Sequence, residues 1–340
     1  MAATKPVAVG LIGAGRIGSF HAESIARRVP DATLLGVADP APGAAAKLAA
    51  KLRAPLHTTD PAELLATPDL EAVVIASPAR FHAGLVEQAA NAGKAVFCEK
   101  PMAVTLTDAD RAITAARRAG VPLQVGFNRR WDQAFAEGRA AIDAGSIGTP
   151  QLLRSLTRDP GPLGNASGIP PWTIFLETLI HDFDTLLWLN PGSKAVDVFA
   201  VADALVKPEL KERGLLDTAV VTIRFDNGAI ATAEANFSAL YGYDIRGEVF
   251  GSAGMVAMGD VRRSSMTLFD KDGVANATWR RDTDHFVGAY TAQLAAFVDL
   301  IRKGGIPAVA GEDARAALAI ALAAIKSVSE KRLVTLAEVQ

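Results

Sequence analysis

The stretch Val7–Gly18, VAVGLIGAGRIG, decides the fold of the first part of this 340-residue chain. Its first half, Val7–Ile12, is a short apolar run with β-branched residues, which is typical of a buried strand. Its second half is a G-x-G-x-x-G segment that follows this strand directly and opens a predicted helix, Gly18–Arg28. A glycine segment in that position is typical of the turn that binds a dinucleotide.

Each glycine of the turn has its own expected role. Gly13 permits the tight turn, Gly15 lets the backbone approach a pyrophosphate, and Gly18 lets the helix pack closely on the strand. The pyrophosphate then lies at the helix N-terminus, where free N–H groups favour negative charge. We therefore expect these turn residues to bind the cofactor: Gly13, Gly15, Arg16, Ile17 and Gly18.

An acidic residue at the end of the second predicted strand indicates which dinucleotide binds. Asp39 lies 21 residues beyond Gly18 and directly follows the run Thr33–Ala38. Its carboxylate can accept hydrogen bonds from ribose hydroxyls, whereas a 2′-phosphate would meet a like charge. The next residue is Pro40 rather than the arginine that NADP sites often supply. The sequence therefore predicts NAD as the cofactor.

The pattern of strands and helices changes near residue 127. Before it, apolar runs alternate with helical segments, which predicts a doubly wound parallel sheet in a Rossmann domain over residues 1–127. After it, strands follow one another, which predicts an α+β domain over residues 128–340 with a large open, mainly antiparallel sheet. The later strand predictions are Gln151–Thr157, Ala195–Leu205, Thr218–Phe225, Ala229–Phe237, Ile245–Phe250 and the strand-like Arg263–Trp279. Predicted helices and a loop complete this half: Asp132–Ala144, Ile174–Leu189, Phe286–Lys303, Gly311–Ser327 and the loop Asp159–Pro171.

Composition excludes several classes of protein. Half of the residues are hydrophobic and the net charge is −2, which predicts a globular chain and argues against a nucleic-acid or polybasic membrane-surface partner. A single cysteine, Cys98, excludes an intrachain disulfide framework, and no histidine pair has metal-ligand spacing, so we predict no metal site. Neither an apolar N-terminal stretch nor a run of about 18 apolar residues is present, so we expect no signal peptide, no membrane span and a cytoplasmic location.

Two separate segments carry candidate chemistry. Glu99-Lys100-Pro101 follows a predicted parallel strand, so Lys100 is expected at the carboxyl edge of the sheet, where ligands of such sheets bind. Glu177 and His181 are four residues apart on a predicted helix, so both are expected on one face.

With these segments in place, the chain resembles the Gfo/Idh/MocA oxidoreductase family and, within it, the inositol 2-dehydrogenase-like group. The glycine fingerprint occurs in many dehydrogenases, whereas EKP together with HDFD is specific to this family. The resembling segments are VGLIGAGRIG (9–18), VADP (37–40), SPARFH (77–82), CEKP (98–101), QVGFNRRWD (124–132), TRDPGP (157–162) and LIHDFD (179–184).

The resemblance implies a catalytic lysine–acid–histidine set made of Lys100, Glu177 and His181. His181 is expected to act as the general base, and Lys100 to stabilise the negative charge that develops on the reacting oxygen or to relay a proton. Glu177 is expected to orient the imidazole or to bind a neighbouring hydroxyl. The family usually has Asp at position 177 and a glycine pair where this chain has Pro170-Pro171-Trp172-Thr173. Both departures fall at the substrate pocket, where Trp172 would add an apolar wall.

Further residues are weaker candidates. Ser77, His82, Glu99 and Lys100 are expected at the nicotinamide end of the cofactor, although His82 is equally suited to helix capping or packing. Asn128 and Arg129 follow a strand end and suit either a substrate crevice or interdomain salt bridges. The expected substrate contacts are Asn128, Arg129, Arg158, Asp159, Trp172 and Asp184.

These observations favour an NAD-dependent dehydrogenase that oxidises a secondary hydroxyl of an inositol or pyranose-like polyol. Two alternatives stay open: a redox-neutral NAD-using glycosidase or lyase acting on a sugar, and a non-catalytic NAD-binding regulator. By analogy with the family we also expect a homo-oligomer, a dimer or tetramer, formed through the exposed face of the Thr218–Phe250 region. The sequence does not identify the substrate or its stereochemistry.

Overall fold

The computed structural model describes residues 5–161 and 168–340. The chain divides into two compact units. The first runs as far as Trp131 and also contains Gly288–Ala316, and the second contains Asp132–Val287 and Ala317–Gln340. Residues 1–4, where the sequence analysis expected no signal peptide, and residues 162–167 of the predicted loop lie outside the described residues.

The first unit is built on a parallel sheet of six strands in the order β3-β2-β1-β4-β5-β6. The strands are β1 (Val7–Ile12), β2 (Ala32–Ala38), β3 (Leu56–Thr58), β4 (Ala72–Ile75), β5 (Ala95–Cys98) and β6 (Leu123–Val125). The intervening helices are α1 (Arg16–Arg27), α2 (Ala44–Leu52), α3 (Pro61–Leu65), α4 (His82–Asn91) and α5 (Leu106–Ala119). This is the doubly wound strand order, so the predicted Rossmann domain is confirmed.

The core of this unit also uses residues from far along the chain. All six residues of β1 are buried, as its apolar sequence predicts. Leu294 and Phe297 belong to the same buried cluster, and the Phe97 and Phe297 rings meet edge to face with centroids 5.8 Å apart. Packing therefore places Gly288–Ala316 in the first unit. The sequence analysis expected two continuous domains, residues 1–127 and 128–340.

The second unit contains a seven-stranded sheet in the order β12-β11-β7-β10-β9-β8-β15. Its elements are α6 (Gln133–Asp143), β7 (Pro150–Arg158), α7 (Ile180–Trp188), β8 (Ala195–Asp203), β9 (Thr218–Phe225), β10 (Ile230–Asn236), β11 (Asp244–Gly251), β12 (Met255–Met258), β13 (Arg262–Asp270), β14 (Gly273–Thr278) and α8 (Asp282–His285). The chain ends with α9 (Val287–Lys303), α10 (Gly311–Glu330) and β15 (Val334–Thr335). Every pairing in this sheet is antiparallel except β7 with β10, so the predicted mainly antiparallel sheet is confirmed.

Three details differ from the sequence prediction. The strand expected over Ala195–Leu205 ends at Asp203, because the backbone N–H groups that follow turn to the buried Asp217 carboxylate instead of a neighbouring strand. The strand-like Arg263–Trp279 is a hairpin of two strands. The predicted helix Ile174–Leu189 begins with a π-helical turn, Ile174–Leu179, before α7. None of the helices in the described ranges is long and apolar enough to cross a bilayer.

Candidate functional site

The three glycines of the turn between β1 and α1 have different steric surroundings. Gly13 adopts φ +101°, and a Cβ there would lie 2.7 Å from the backbone of Ala76. A Cβ at Gly18 would overlap the carbonyl oxygen of Gly13, so α1 packs on the turn at a distance that only glycine permits. Gly15 has no atom within 4 Å of its Cβ position, which leaves its backbone open to a ligand.

Asp39 at the end of β2 holds this turn. One carboxylate oxygen, Oδ2, accepts a hydrogen bond from the backbone N–H of Ala14 at 2.6 Å, and Oδ1 accepts from Ala41 at 2.8 Å. Asp39 thus orients the glycine turn and also faces the adjoining cavity.

The cavity beside the turn belongs wholly to the first unit and has a volume of about 920 Å³. Gly13, Gly15, Asp39 and Ser77, all expected at the cofactor, line it. Arg16 and Ile17 begin α1 and are not among its lining residues. Its further lining residues include Pro40, Arg80, Phe81, Gln88 and Arg111. A cavity of this size, with a glycine turn and a carboxylate at its wall, fits a dinucleotide.

Arg80 and Phe81 were not predicted as site residues. The Arg80 guanidinium lies over the Phe81 ring, 4.5 Å from its centroid, and Phe81 is half exposed at the cavity. Their place in the SPARFH segment could have indicated a site role, because the loop after a parallel strand lies at the edge of the sheet where ligands bind.

His82 is buried at the start of α4 and contacts two loops. Its Nδ1 lies 2.8 Å from the carbonyl oxygen of Pro101, and its Nε2 lies 2.7 Å from that of Ser77. The residue therefore joins the loop after β4 to the loop after β5. It is not one of the lining residues of the cavity, and its expected contact with the cofactor stays a prediction.

Lys100 is the second residue after β5, at the carboxyl edge of the parallel sheet, as expected. Its neighbour Glu99 is buried and bonds to His21 of α1, with 2.6 Å between Glu99 Oε1 and His21 Nε2. Sequence reasoning assigned no partner to His21, because 78 residues separate the two side chains. The lone cysteine, Cys98, is buried in the core, and burial, together with the Glu99 charge, raises the pKa of its thiol well above the usual value.

In the second unit, Glu177 lies in the π-helical turn and His181 in the first turn of α7. The π-turn is a wide turn that often occurs at functional positions. Trp172, just before it, adopts φ +61°, which is rare for a residue with a bulky side chain. Its backbone N–H donates to the carbonyl of Gly214 at 2.9 Å. The backbone at Trp172 thus adopts a conformation that suits glycine, the residue that the family pattern has in this segment.

Asp182, beside His181, is buried and was not predicted as a site residue. Its two carboxylate oxygens accept hydrogen bonds from Ser155 Oγ at 2.6 Å and Thr157 Oγ1 at 2.8 Å. Both hydroxyls lie on the buried face of β7. These bonds attach the helix that carries His181 to an interior strand of the seven-stranded sheet.

The remaining candidates lie in different settings. Asn128 and Arg129 are buried in a turn after β6 in the first unit. Arg158 is the last residue of β7. Its Nη2 lies 3.4 Å from Glu234 Oε2, and its Nη1 lies 3.5 Å from Asp244 Oδ2. The pKa of the Arg158 guanidinium is raised, mainly by a hydrogen bond with Tyr241.

Asp159 follows Arg158, and its backbone N–H donates to the backbone carbonyl oxygen of Asn236 at 2.9 Å. Asp184 is buried on α7. Across residues 5–161 and 168–340, no three histidine, cysteine, aspartate or glutamate side chains form a group suited to a metal ion.

The structure therefore collects the predicted residues in two sets. The cofactor candidates and Lys100 belong to the first unit, and Glu177, His181, Trp172, Arg158, Asp159 and Asp184 belong to the second. A doubly wound sheet with a glycine turn, a carboxylate at the end of β2 and a cavity of dinucleotide size is typical of the nucleotide-binding domain of an oxidoreductase.

Comparison with known proteins identifies the family. Residues 7–127 match the model of an oxidoreductase family with an NAD-binding Rossmann fold, and residues 135–257 match the GFO/IDH/MocA C-terminal domain. The chain belongs to the GFO/IDH/MocA family of NAD-dependent oxidoreductases, and the predicted cofactor, NAD, is confirmed.

Relatives and solved structures match nearly the whole chain. The chain is 38% identical to a myo-inositol 2-dehydrogenase of Thermotoga maritima over 97% of this chain and 99% of that protein. It is 34% identical to an NAD⁺-linked scyllo-inositol 2-dehydrogenase of Bacillus subtilis, over 94% of each. A scyllo-inositol dehydrogenase of Lactobacillus casei, solved with NAD(H) and scyllo-inositol, superposes with a TM-score of 0.92 at 27% identity, covering 98% of this chain and all of that one.

Proposed function

We propose that this protein oxidises a ring secondary hydroxyl of an inositol or a pyranose-like polyol to a ketone, with NAD as the oxidant. The observation that carries the proposal is the similarity to inositol 2-dehydrogenases over 97% of the chain, which includes both units. The first unit supports it with a cavity suited to NAD, and the second with an acid–histidine pair on one helical segment.

When bound, NAD supplies the hydride acceptor. The glycine turn at Gly13 and Gly15 would hold the pyrophosphate, and Asp39 would accept hydrogen bonds from the ribose. Because Asp39 already orients the turn through the N–H of Ala14, the same carboxylate connects ribose recognition with the shape of the phosphate-binding turn.

Three side chains of this protein carry the proposed proton chemistry. His181 takes the hydroxyl proton as general base, because imidazole is the side chain best suited to accept a proton near neutral pH. Glu177 orients the His181 imidazole or binds the hydroxyl next to the reacting one. Lys100 donates a hydrogen bond to the reacting oxygen and stabilises the negative charge that develops there.

Specificity is proposed to come from residues where this chain departs from the family pattern. Trp172 replaces part of a glycine pair, and Glu177 is one methylene longer than aspartate. Both changes alter the space and reach available at a ring hydroxyl, so they select among cyclitols and pyranoses. The other proposed substrate contacts are Asn128, Arg129, Arg158, Asp159 and Asp184.

The test is NADH formation with NAD or NADP against myo-, scyllo- and chiro-inositol and a panel of aldoses. NAD-linked turnover on a cyclitol or a pyranose supports the proposal and identifies the substrate class. Substrate consumption without accumulated NADH would instead indicate the redox-neutral reaction. NAD binding with no turnover on any substrate of the panel would indicate a regulator.

We also propose that the chain forms a homo-oligomer through the open face of the second unit's sheet. Phe250, Leu152 and Ile230 form one cross-strand row on β11, β7 and β10, and each is about half exposed. A second copy that covers this row would remove apolar surface from water. Light scattering tests it: a monomer at micromolar concentration contradicts the proposal.

The expected cytoplasmic location is also a proposal, and cell fractionation tests it.

A further inference from the structure

A buried histidine–carboxylate pair lies beneath Lys100. His21 in α1 is fully buried, and its Nε2 lies 2.6 Å from Glu99 Oε1. The other carboxylate oxygen, Glu99 Oε2, accepts a hydrogen bond from the backbone N–H of Lys100 at 3.2 Å. One side chain therefore connects the helix that opens at the glycine turn with the lysine of the EKP segment.

The surroundings of His21 indicate how its protons are distributed. Its ring meets Phe97 and Tyr290 edge to face, with centroids 5.6 and 5.7 Å apart. In the described part of the chain, Nδ1 has no hydrogen-bond partner. A proton on Nδ1 would be a buried donor without an acceptor, which is costly. The imidazole nitrogen that carries the proton toward Glu99 is therefore Nε2, which donates to the carboxylate.

The fold also makes room for this carboxylate. A Cβ at Gly126 would lie 3.0 Å from Glu99 Oε1, closer than side chains normally approach. Burial by itself raises the pKa of Glu99, but the hydrogen bond from His21 and the electrostatic influence of His21, Lys100 and His82 outweigh burial and lower the pKa. Glu99 is thus an anion held in a fitted pocket, and its interaction with Lys100 acts on both residues equally.

We propose that His21 and Glu99 are positioning residues for Lys100: they fix its backbone against α1 and keep a negative charge on the residue that directly precedes it. The expected contact of Glu99 with the cofactor stays a prediction. The catalytic importance of the pair rests on the proposed function, whereas its effect on the protonation of Lys100 does not.

The test measures Lys100 directly. The full chain without NAD is labelled with acetic anhydride across a pH series, and acetylation of Lys100 is quantified by mass spectrometry. In Glu99→Gln the ammonium loses a neighbouring negative charge, so its labelling midpoint moves to lower pH and labelling below that midpoint rises about threefold or more. His21→Phe, which removes the donor, shifts the curve in the same direction. His21→Gln retains an N–H donor and restores the wild-type curve.

Matched controls lie in the same unit. Glu71→Gln changes a glutamate at the opposite edge of the sheet, where it accepts from Ala8 N at 3.0 Å, and His57→Gln changes an exposed histidine. Both are expected to leave the Lys100 curve unchanged.

A Glu99→Gln curve that coincides with wild type, in a protein that still binds NAD, overturns the proposal. If Glu99→Gln does not fold, equal curves for His21→Phe and His21→Gln overturn it. A shifted labelling curve for Glu99→Gln, together with a wild-type protein that oxidises no polyol, would support the positioning role of the pair and reject the proposed function.

Discussion

The attachment of α7 to β7 through Asp182 permits a quantitative test of how the second unit holds His181. Ser155 and Thr157 donate to the two oxygens of a fully buried carboxylate. Thr157→Val preserves the shape of the side chain and removes one donor. Thr157→Ser keeps the hydroxyl and is the matched control.

A hydrogen bond to a charged group contributes about 1.5–3 kcal/mol. Thr157→Val is therefore expected to lower the free energy of unfolding of the second unit by about 2 kcal/mol. Asp182→Ala removes the acceptor of both hydroxyls and is expected to cost about 4 kcal/mol. Because Asp182→Ala and Ser155→Ala remove the same hydrogen bond, a double-mutant cycle for these two positions should show a coupling of about 2 kcal/mol.

Urea unfolding monitored by far-UV circular dichroism measures these free energies, and steady-state kinetics measures their consequence for His181. If the bonds set the orientation of α7, kcat falls in Thr157→Val while the affinity for NAD is unchanged. A Thr157→Val protein within about 0.5 kcal/mol of both wild type and Thr157→Ser would refute the reasoning.

Three further outcomes are expected. Lys100→Ala and His181→Ala should each abolish NADH formation while NAD binding by calorimetry persists, and normal turnover in either variant removes that residue from the mechanism. Replacing Asp39 by Ser and Pro40 by Arg should shift the ratio of kcat/KM values toward NADP; an unchanged ratio means that another element selects the cofactor. The pKa of Glu99 is lowered in the folded state, so its contribution to stability is complete well above pH 4.5 and disappears as the pH falls through the lowered value. The stability deficit of Glu99→Gln in urea should therefore narrow below about pH 4.5, and a deficit independent of pH contradicts this assignment.

Much of the first unit was accessible from sequence because its patterns are local. The strand, glycine turn and helix at Val7–Gly18 occupy one continuous stretch, and Gly13 and Gly18 each meet a steric demand set by nearby backbone atoms. The turn Asp226-Asn227-Gly228 in the second unit is equally local, and it joins the antiparallel strands β9 and β10. In contrast, the π-helical turn that contains Glu177 lies within an ordinary apolar helical pattern, because an α-turn and a π-turn differ in hydrogen bonding rather than in residue type.

The class of fold, the glycine turn and the lysine at the carboxyl edge of the sheet follow from the amino-acid sequence alone, because each depends on residues adjacent in the chain. Only the tertiary structure decided what supports them. It brought His21 to Glu99 across 78 residues and Ser155 to Asp182 across 27 residues, and it completed the first unit's core with Phe297. Buried polar side chains must find partners wherever the packed chain places them, and such partners leave no periodic pattern in the sequence.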